Sequence, residues 1–126
     1  DFLPSVCDLA GLATPRHLDG ISWFPTLTGQ PGQRMHDYFY WEFHERKFAQ
    51  AIRKGDWKAI RPDQGRPIEL YNLKDDVGET RNLATENPAI VATIEKLFIS
   101  ARSPSPFWPE AKPLSTGQRD ALQTKP

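Results

Sequence analysis

The clearest pattern in the chain is a helical spacing of apolar residues between residues 88 and 102. The apolar positions form one stripe: Ile90, Val91, Ile94, Leu97, Phe98 and Ala101. Such spacing is typical of an amphipathic helix. Asn87 can cap its start, Pro88 suits the first helical position, and Pro104 is expected to end it. A stripe this wide must cover another layer, and the segment just before it is the nearest candidate.

Short β-prone runs precede this helix, between residues 37 and 73. Two of them flank Gly55 and Asp56, which favours a hairpin with a type I′ or II′ turn. A further run, residues 67–73, is predicted to join the same sheet after a turn at Gly65. The pattern therefore predicts a small antiparallel β-sheet of about four strands with one long helix packed on it, an α+β fold.

The segments on either side of this layer pair have different patterns. Residues 2–10 carry apolar residues at helical spacing and are followed by Gly11, so we expect a short helix with a glycine cap. The stretch 13–33, rich in proline and glycine, is predicted to be a connecting loop with one helical turn around residues 23–27. Residues 104–126 contain five prolines and no periodicity, which predicts an extended tail. We expect three parts with the bounds 1–34, 35–103 and 104–126.

The register of the hairpin decides which side chains share a face. If Lys54 opposes Trp57, each face carries one apolar pair: Ala51 with Ile60, and Ile52 with Ala59. A single helix covers only one face, so the other is expected to pack on protein outside this chain or to remain exposed. The same register places Arg53 opposite Lys58, a like-charge pair that indicates either an anion contact or a different register.

The first run, residues 36–44, alternates apolar and polar side chains. Phe39, Trp41 and Phe43 fall on one side, which we predict to be the core face. The other side carries groups that bind or titrate: His36, Tyr38, Tyr40, Glu42 and His44. Two interpretations remain open for that side. It is either a half-exposed sheet face with ordinary hydrogen bonds, the commoner arrangement, or a cleft for a polar ligand lined by Tyr40, Glu42 and His44. A zinc site is not favoured, because alternate strand residues are separated by about 6.6 Å of rise and no third ligand is apparent.

Charge and cysteine content narrow the classes of partner. Sixteen basic residues balance sixteen acidic residues, so no net charge attracts nucleic acid or an anionic membrane. The apolar runs are too short to cross a bilayer. The single cysteine, Cys7, lies among apolar residues without a disulfide or metal partner, so we expect it to pack rather than to react. We therefore expect neither a nucleic-acid nor a membrane partner.

Four segments of the chain occur in an order that is typical of one protein family. The stretch “DFLPSVCDLAGLATPRHLDGISWFPTLTG” comes first, followed by “YWEFHE” with “QAIRKGDWKAIR”, then “IELYNLKDDVGETRNLA”, and then the capped helix. Together these segments resemble the C-terminal portion of the sulfatases, in the alkaline-phosphatase-like superfamily. Val77 stands where the family often has proline, a difference that affects one turn.

The resemblance implies a sulfuric ester hydrolase of the arylsulfatase family, of which this chain would be a fragment. Family members use a formylglycine made from a Cys/Ser-x-Pro-x-Arg motif, beside a calcium ion. The chain lacks that motif, because Cys7 is followed by “DLAG”. We therefore expect calcium and formylglycine to lie in a larger N-terminal domain, of which residues 1–34 would be the end. The chain alone is predicted to be inactive. The family also suggests a periplasmic, secreted or lysosomal location.

Within such an enzyme, the sheet and helix would buttress the catalytic domain, and the rim of the sheet would reach a sulfated small molecule or glycan. The candidate substrate-binding residues are Tyr40, Glu42, His44 and Arg53. Lys58 and Arg61 are further basic candidates for contact with an anionic sugar. We assign no catalytic or metal-ligating residue to this chain. A fragment separated from its catalytic domain is expected to self-associate. A stand-alone binding or scaffold module that shares the fold is the alternative.

Overall fold

The computed structural model describes residues 1–44, 48–63, 65–103 and 105. Within these residues the elements follow in chain order: α1 (Phe2–Leu9), α2 (Phe24–Leu27), β1 (Phe39–Phe43), β2 (Ala49–Lys54), β3 (Trp57–Arg61), β4 (Glu69–Asn72) and α3 (Pro88–Ser100). The chain divides into two units, residues 1–37 and 38–126. This order confirms the predicted α+β fold, with short helices before the sheet and the long helix after it.

Helix α1 in the first unit ends in the glycine cap that the sequence predicts. Gly11 has φ +67°, a left-handed conformation that glycine adopts without steric cost. The amide of Leu12 donates to the carbonyl of Cys7 at 2.8 Å, and the amide of Gly11 donates to that of Asp8 at 3.1 Å. These two bonds form a Schellman motif, which satisfies carbonyls that the helix end would leave unpaired. Cys7 is buried, as expected for a packing residue.

The loop after α1 is fastened to the start of that helix. The amide of Ile21 donates to Asp1 Oδ1 at 2.8 Å, and the amide of Trp23 donates to Ser5 Oγ at 2.9 Å. A Cβ at Gly20 would lie 2.8 Å from the nitrogen of Asp1, so the two segments approach more closely than a side chain at this position permits. The predicted helical turn forms here as α2.

The second unit contains an antiparallel sheet in the order β1-β2-β3-β4. Lys54 pairs with Trp57 and Ile52 with Ala59, so the register predicted for the hairpin is confirmed. Its turn has φ +58° at Gly55, the positive value that a type II′ turn requires at its first central position. The predicted fourth run joins the sheet as β4.

The like-charge pair of Arg53 and Lys58 is present in this register, so the alternative of a different register is wrong. The ammonium group of Lys58 forms an ion pair with Glu79 Oε1 at 2.5 Å. Arg53 Nε donates instead to the carbonyl of Gly55 at 3.2 Å. The carboxylate of Glu79, supplied by the loop after β4, therefore offsets the charge that would otherwise repel Arg53.

Helix α3 covers one face of the sheet and closes the core. The buried core residues are Ile52, Ala59, Ile68, Leu70, Ile94 and Phe98. Helix α3 ends at Ser100, two residues before the predicted end, and Pro104 lies outside the described residues. Asn87 occupies the N-cap position but makes no side-chain cap bond. Its side-chain amide donates to the carbonyl of Leu83 at 3.1 Å.

The core face predicted for β1 is wrong. Tyr40 pairs with Ile52, and Glu42 pairs with Gln50, so the polar side chains of β1 lie on the same side of the sheet as the core. The aromatic side chains on the other side are exposed: Phe39 (41%), Trp41 (50%) and Phe43 (53%). Simple alternation cannot tell which of two faces a helix covers. The register with β2 decides it, because Ile52 belongs to the face under α3.

Two further expectations concern the ends of the chain and the membrane. Of the predicted tail, residues 104–126, only Ser105 belongs to the described part of the structure. Among the residues that the structure describes, no helix is both long and apolar enough to cross a bilayer.

Candidate functional site

Five polar side chains meet at the end of β1, around the carboxylate of Glu42. This Glu42 cluster comprises Tyr40, Glu42, His44, Gln50 and Arg102. His44 Nε2 lies 2.9 Å from Glu42 Oε2, and Arg102 Nε lies 2.8 Å from Glu42 Oε1. The hydroxyl of Tyr40 donates to Glu42 Oε1. Gln50 Nε2 donates to the Tyr40 hydroxyl at 2.7 Å and more weakly to Glu42 Oε1 at 3.3 Å. The Glu42 carboxylate is therefore contacted by four side chains.

Local structure explains why these groups converge. Tyr40 and Glu42 are alternate residues of β1 and so point to one face, and Gln50 stands opposite Glu42 on β2. Arg102 follows the end of α3, the helix that covers this face. Gln50 is buried (4% exposed), and its side-chain nitrogen donates hydrogen bonds to both Tyr40 and Glu42. A buried polar network of this kind is stable because four of its members hydrogen-bond to one another and Arg102 adds an ion pair with Glu42.

The surroundings favour an ionised Glu42 and a neutral Tyr40. Burial alone would raise the pKa of the Glu42 carboxyl, but the hydrogen bonds from Tyr40 and His44 and the charge of Arg102 together hold this pKa below its usual value. Burial, and next the hydrogen bond to Glu42, raise the pKa of the Tyr40 hydroxyl far above its usual value. Glu42 thus acts as a fixed negative charge and Tyr40 as a fixed donor.

A second guanidinium group borders the Glu42 cluster. Arg61 Nη1 donates to Gln50 Oε1 at 2.8 Å, and Arg61 Cζ lies 4.6 Å from the centroid of the Phe98 ring. Tyr40 contacts the edge of the same ring, with centroids 6.4 Å apart. Gln50 therefore connects the Glu42 carboxylate to Arg61, and Phe98 supports both Tyr40 and Arg61.

Phe48 supports the other two basic groups of the cluster. Its ring lies edge-on to His44, with centroids 5.1 Å apart and planes at 72°. Arg102 Cζ lies 6.0 Å from the same ring centroid, at the limit of a cation–π contact. The basic groups of this end of the sheet are thus held against aromatic rings as well as against Glu42.

The structure brings together three of the four predicted substrate-binding residues. Tyr40, Glu42 and His44 belong to one cluster, whereas Arg53 lies on the opposite face of β2, where its partner is the carbonyl of Gly55. Contact of any of the four with a substrate remains a prediction. Four side chains already contact the oxygens of the Glu42 carboxylate. Glu42 is therefore better suited to hold these side chains in position than to transfer a proton to a ligand.

Sequence reasoning missed Gln50 and Arg102. Gln50 alternates with Ile52 along β2 and shows no functional signal of its own. The register nevertheless indicates it, because a hairpin with Lys54 opposite Trp57 also places Gln50 opposite Arg61. Arg102 lies beyond the apolar stripe of α3, and no periodicity predicts where a residue after a helix will point.

The described residues do not fit the cofactors that the sulfatase resemblance implies. Among them, no group of three or more histidine, cysteine, aspartate or glutamate side chains is placed to hold a metal ion. Cys7 is buried in α1 and lacks the motif from which formylglycine is made.

The fold and the order of the sequence segments define the C-terminal region of a sulfatase. Residues 1–102 match the family model described as N-sulphoglucosamine sulphohydrolase, C-terminal. The chain belongs to this family.

The proteins that this chain resembles are much longer than the region they share with it. The chain is 38% identical over 91 residues to the Delta 4,5-hexuronate-2-O-sulfatase of Bacteroides thetaiotaomicron, covering 68% of this chain and 19% of that protein. It is 31% identical over 108 residues to arylsulfatase K of Danio rerio, covering 79% of this chain and 21% of that protein. The solved structure of a 2-O GAG sulfatase superposes with a TM-score of 0.73 at 34% identity, covering 80% of this chain and 23% of that one. The chain thus spans about one fifth of the length of these relatives.

Proposed function

We propose that this chain is the C-terminal subdomain of an enzyme that hydrolyses sulfate esters. It buttresses the catalytic domain of that enzyme and contributes side chains of the Glu42 cluster to substrate binding. Its membership of a sulfatase family over residues 1–102 supports this proposal. Without the family's nucleophile motif, the chain alone is expected to leave an aryl sulfate unhydrolysed.

The exposed aromatic side chains of β1 carry the buttressing part of the proposal. Phe39, Trp41 and Phe43 are 41%, 50% and 53% exposed and form what we call the aromatic face. The rings of Phe39 and Trp41 stack with centroids 5.9 Å apart, so these two side chains form one continuous apolar surface. Burial stabilises apolar surface by about 25 cal/mol per Å², and a contiguous apolar row is typical of an interaction site.

The occupant of the aromatic face is the catalytic domain of the same enzyme. The relatives are about five times as long as the matched region, so a large domain accompanies this segment in each of them. The opposite face of the sheet is already covered by α3, which leaves the aromatic face for that domain. Such burial of aromatic side chains would also explain why β1 is apolar on the side that faces away from its own helix.

The Glu42 cluster carries the substrate-binding part of the proposal. A sulfated substrate is anionic, and His44 and Arg102 are basic groups held at the end of β1 by Glu42 and Phe48. Glu42 would act by positioning these two side chains. Substituting Glu42 or His44 is then expected to weaken binding of the natural substrate and to spare a small aryl sulfate, which is too short to reach them.

A reconstitution experiment tests the proposed function. The catalytic domain of the same sulfatase and this chain are produced as separate polypeptides and mixed, and turnover of a sulfate ester is measured. We expect the chain to raise the turnover of the catalytic domain, and Trp41→Lys to remove that effect because it places a charge in an apolar contact.

Ile99→Lys is the matched control. Ile99 is a large apolar residue of α3 that is 78% exposed and lies outside the aromatic face. The proposal predicts full reconstitution with this variant. A chain that folds but neither binds nor activates the catalytic domain would instead identify a stand-alone binding or scaffold module.

A further inference from the structure

We infer that Arg61 is a specificity-determining residue that binds an oxyanion of the substrate other than the sulfate ester that is hydrolysed. This inference rests on the proposed function and extends it from the Glu42 cluster to a neighbouring side chain. The oxyanion is either a carboxylate or a second sulfate group on the same sugar. Both groups present two oxygens in the geometry that a guanidinium fork recognises.

The side chain of Arg61 is held in one place before any ligand arrives. Gln50 Oε1 accepts a hydrogen bond from Nη1 at 2.8 Å, and the guanidinium group lies over the Phe98 ring at 4.6 Å. Gln50 is 4% and Phe98 1% exposed, so both supports are themselves fixed by packing. A pre-ordered side chain loses little conformational freedom on binding, which favours affinity and selectivity.

The charge of Arg61 is not neutralised by the part of the chain that the structure describes. The one carboxylate of the adjoining cluster, Glu42, is contacted by Arg102 and His44, and no carboxylate of a described residue pairs with Arg61. Its contact with Gln50 supplies a dipole and no countercharge. Arg61 is half-buried, so water compensates its charge less well than at an exposed position. An oxyanion would supply the missing countercharge.

Other basic side chains of this unit differ in this respect. Lys58 pairs with Glu79, and Arg81 pairs with Glu86 on the surface. Arg53 is exposed, and its Nε donates to the carbonyl of Gly55. Arg61 alone among these four combines two fixed side-chain supports, partial burial and the absence of a carboxylate partner within the described residues.

The test measures anion binding by the complete chain. The Nε–Hε resonances of its arginine side chains are followed by NMR while inorganic sulfate or glucuronate, a sugar carboxylate, is added. We expect a saturable shift at Arg61 with at least one of the two anions, and the stronger of the two responses identifies the class of oxyanion. Arg61→Gln is expected to weaken that binding about tenfold or more, as for loss of a charge-assisted contact.

Arg81→Gln is the matched control, since it removes the same charge from an exposed side chain that pairs with Glu86 and lies outside the candidate binding residues. It is expected to leave the affinity within about twofold. Arg61→Lys keeps the charge but not the planar fork, so it is expected to bind less tightly than the wild type. This variant also preserves the test if Arg61→Gln fails to fold.

Equal losses in the Arg61 and Arg81 variants would reduce the effect to general charge attraction and overturn the inference, as would the absence of any saturable shift at Arg61. Neither result affects the proposed function, because the reconstitution experiment depends on Trp41 and not on anion binding. Conversely, a chain that binds anions at Arg61 but fails to activate a catalytic domain would contradict the proposed function.

Discussion

Arg102 Nε lies 2.8 Å from Glu42 Oε1, and this ion pair ties the chain after α3 to β1. The side chains of Arg102 and Glu42 are only 9% and 17% exposed. Loss of one partner therefore leaves a largely buried charge without its counterion, which is more costly than loss of a surface pair. The pair thus fixes the segment after α3 to the end of β1, where His44 also contacts Glu42.

Substitution of Arg102 by Met is expected to destabilise the chain strongly. A reduction in the free energy of unfolding of roughly 3–5 kcal/mol is typical when one partner of a buried pair is removed. Urea denaturation measures it. Arg81→Met is the control, because the pair of Arg81 and Glu86 is exposed (71% and 54%) and is expected to contribute only about 0–1 kcal/mol. Equal midpoints for the two variants would contradict the role assigned to Arg102.

Glu42 should make stability depend on pH in the acid range. Its pKa in the folded chain lies below the usual 4.5, so the folded state holds this carboxyl ionised more firmly than the unfolded state does. The resulting stabilisation is complete above the unfolded pKa and is lost as the pH falls through the folded pKa. The difference in unfolding free energy between wild type and Glu42→Gln is therefore expected to shrink as the pH falls below about 4.5.

Urea denaturation of both proteins at a series of pH values provides this comparison. Glu42→Gln keeps the shape of the side chain and removes only its charge, so a pH-dependent difference reports the carboxylate itself. A difference that stays constant, or that grows in acid, would show that Glu42 is not held ionised by Tyr40, His44 and Arg102.

Truncating Ile94 should destabilise the chain and truncating Ile99 should not, although both residues belong to α3. Ile94 is 1% exposed and Ile99 is 78% exposed. Ile94→Ala is expected to lower the free energy of unfolding by roughly 2–5 kcal/mol through lost burial and a residual cavity. Ile99→Ala is expected to change it by no more than about 0.5 kcal/mol. Similar midpoints in thermal denaturation would contradict the packing of α3 on the sheet.

Much of the second unit could be predicted from local chemistry. The apolar stripe around Ile94 and Phe98 defines α3, because apolar residues at a period of 3.6 lie on one side of a helix and need a layer to cover them. The glycine at position 55 defines the hairpin turn, and that turn sets the register of Lys54 with Trp57. These features depend on residues that are close together in sequence, so the sequence alone is enough to predict them.

The orientation of β1 and the completion of the Glu42 cluster could not be predicted in the same way. Phe39, Trp41 and Phe43 suggest a core face, but an apolar face can equally be reserved for another domain. Which face α3 covers depends on pairing with Ile52 across β2. The contact of Arg102 with Glu42 joins residues 60 positions apart, and the position of a charged residue after a helix is set by tertiary packing alone.

The isolated chain is expected to self-associate through the aromatic face. Exposed Phe39, Trp41 and Phe43 offer apolar surface that a second copy can bury when the catalytic domain is absent. Sedimentation velocity at increasing concentration should show species larger than the monomer, and Trp41→Lys should shift the population back to the monomer. The control Ile99→Lys should sediment like the wild type. A wild-type chain that stays monomeric at every concentration would argue against an apolar docking surface.

We propose that the aromatic face is buried against the catalytic domain in the complete enzyme. Hydroxyl-radical labelling of Trp41, read by mass spectrometry in the isolated chain and in the complete enzyme, tests it most directly. The reactivity of Ile99 serves as the internal reference, because it is expected to stay exposed in both. We expect Trp41 to be labelled in a dilute, monomeric sample of the isolated chain and to be protected about tenfold or more in the complete enzyme. Equal labelling of Trp41 in the two samples would contradict it.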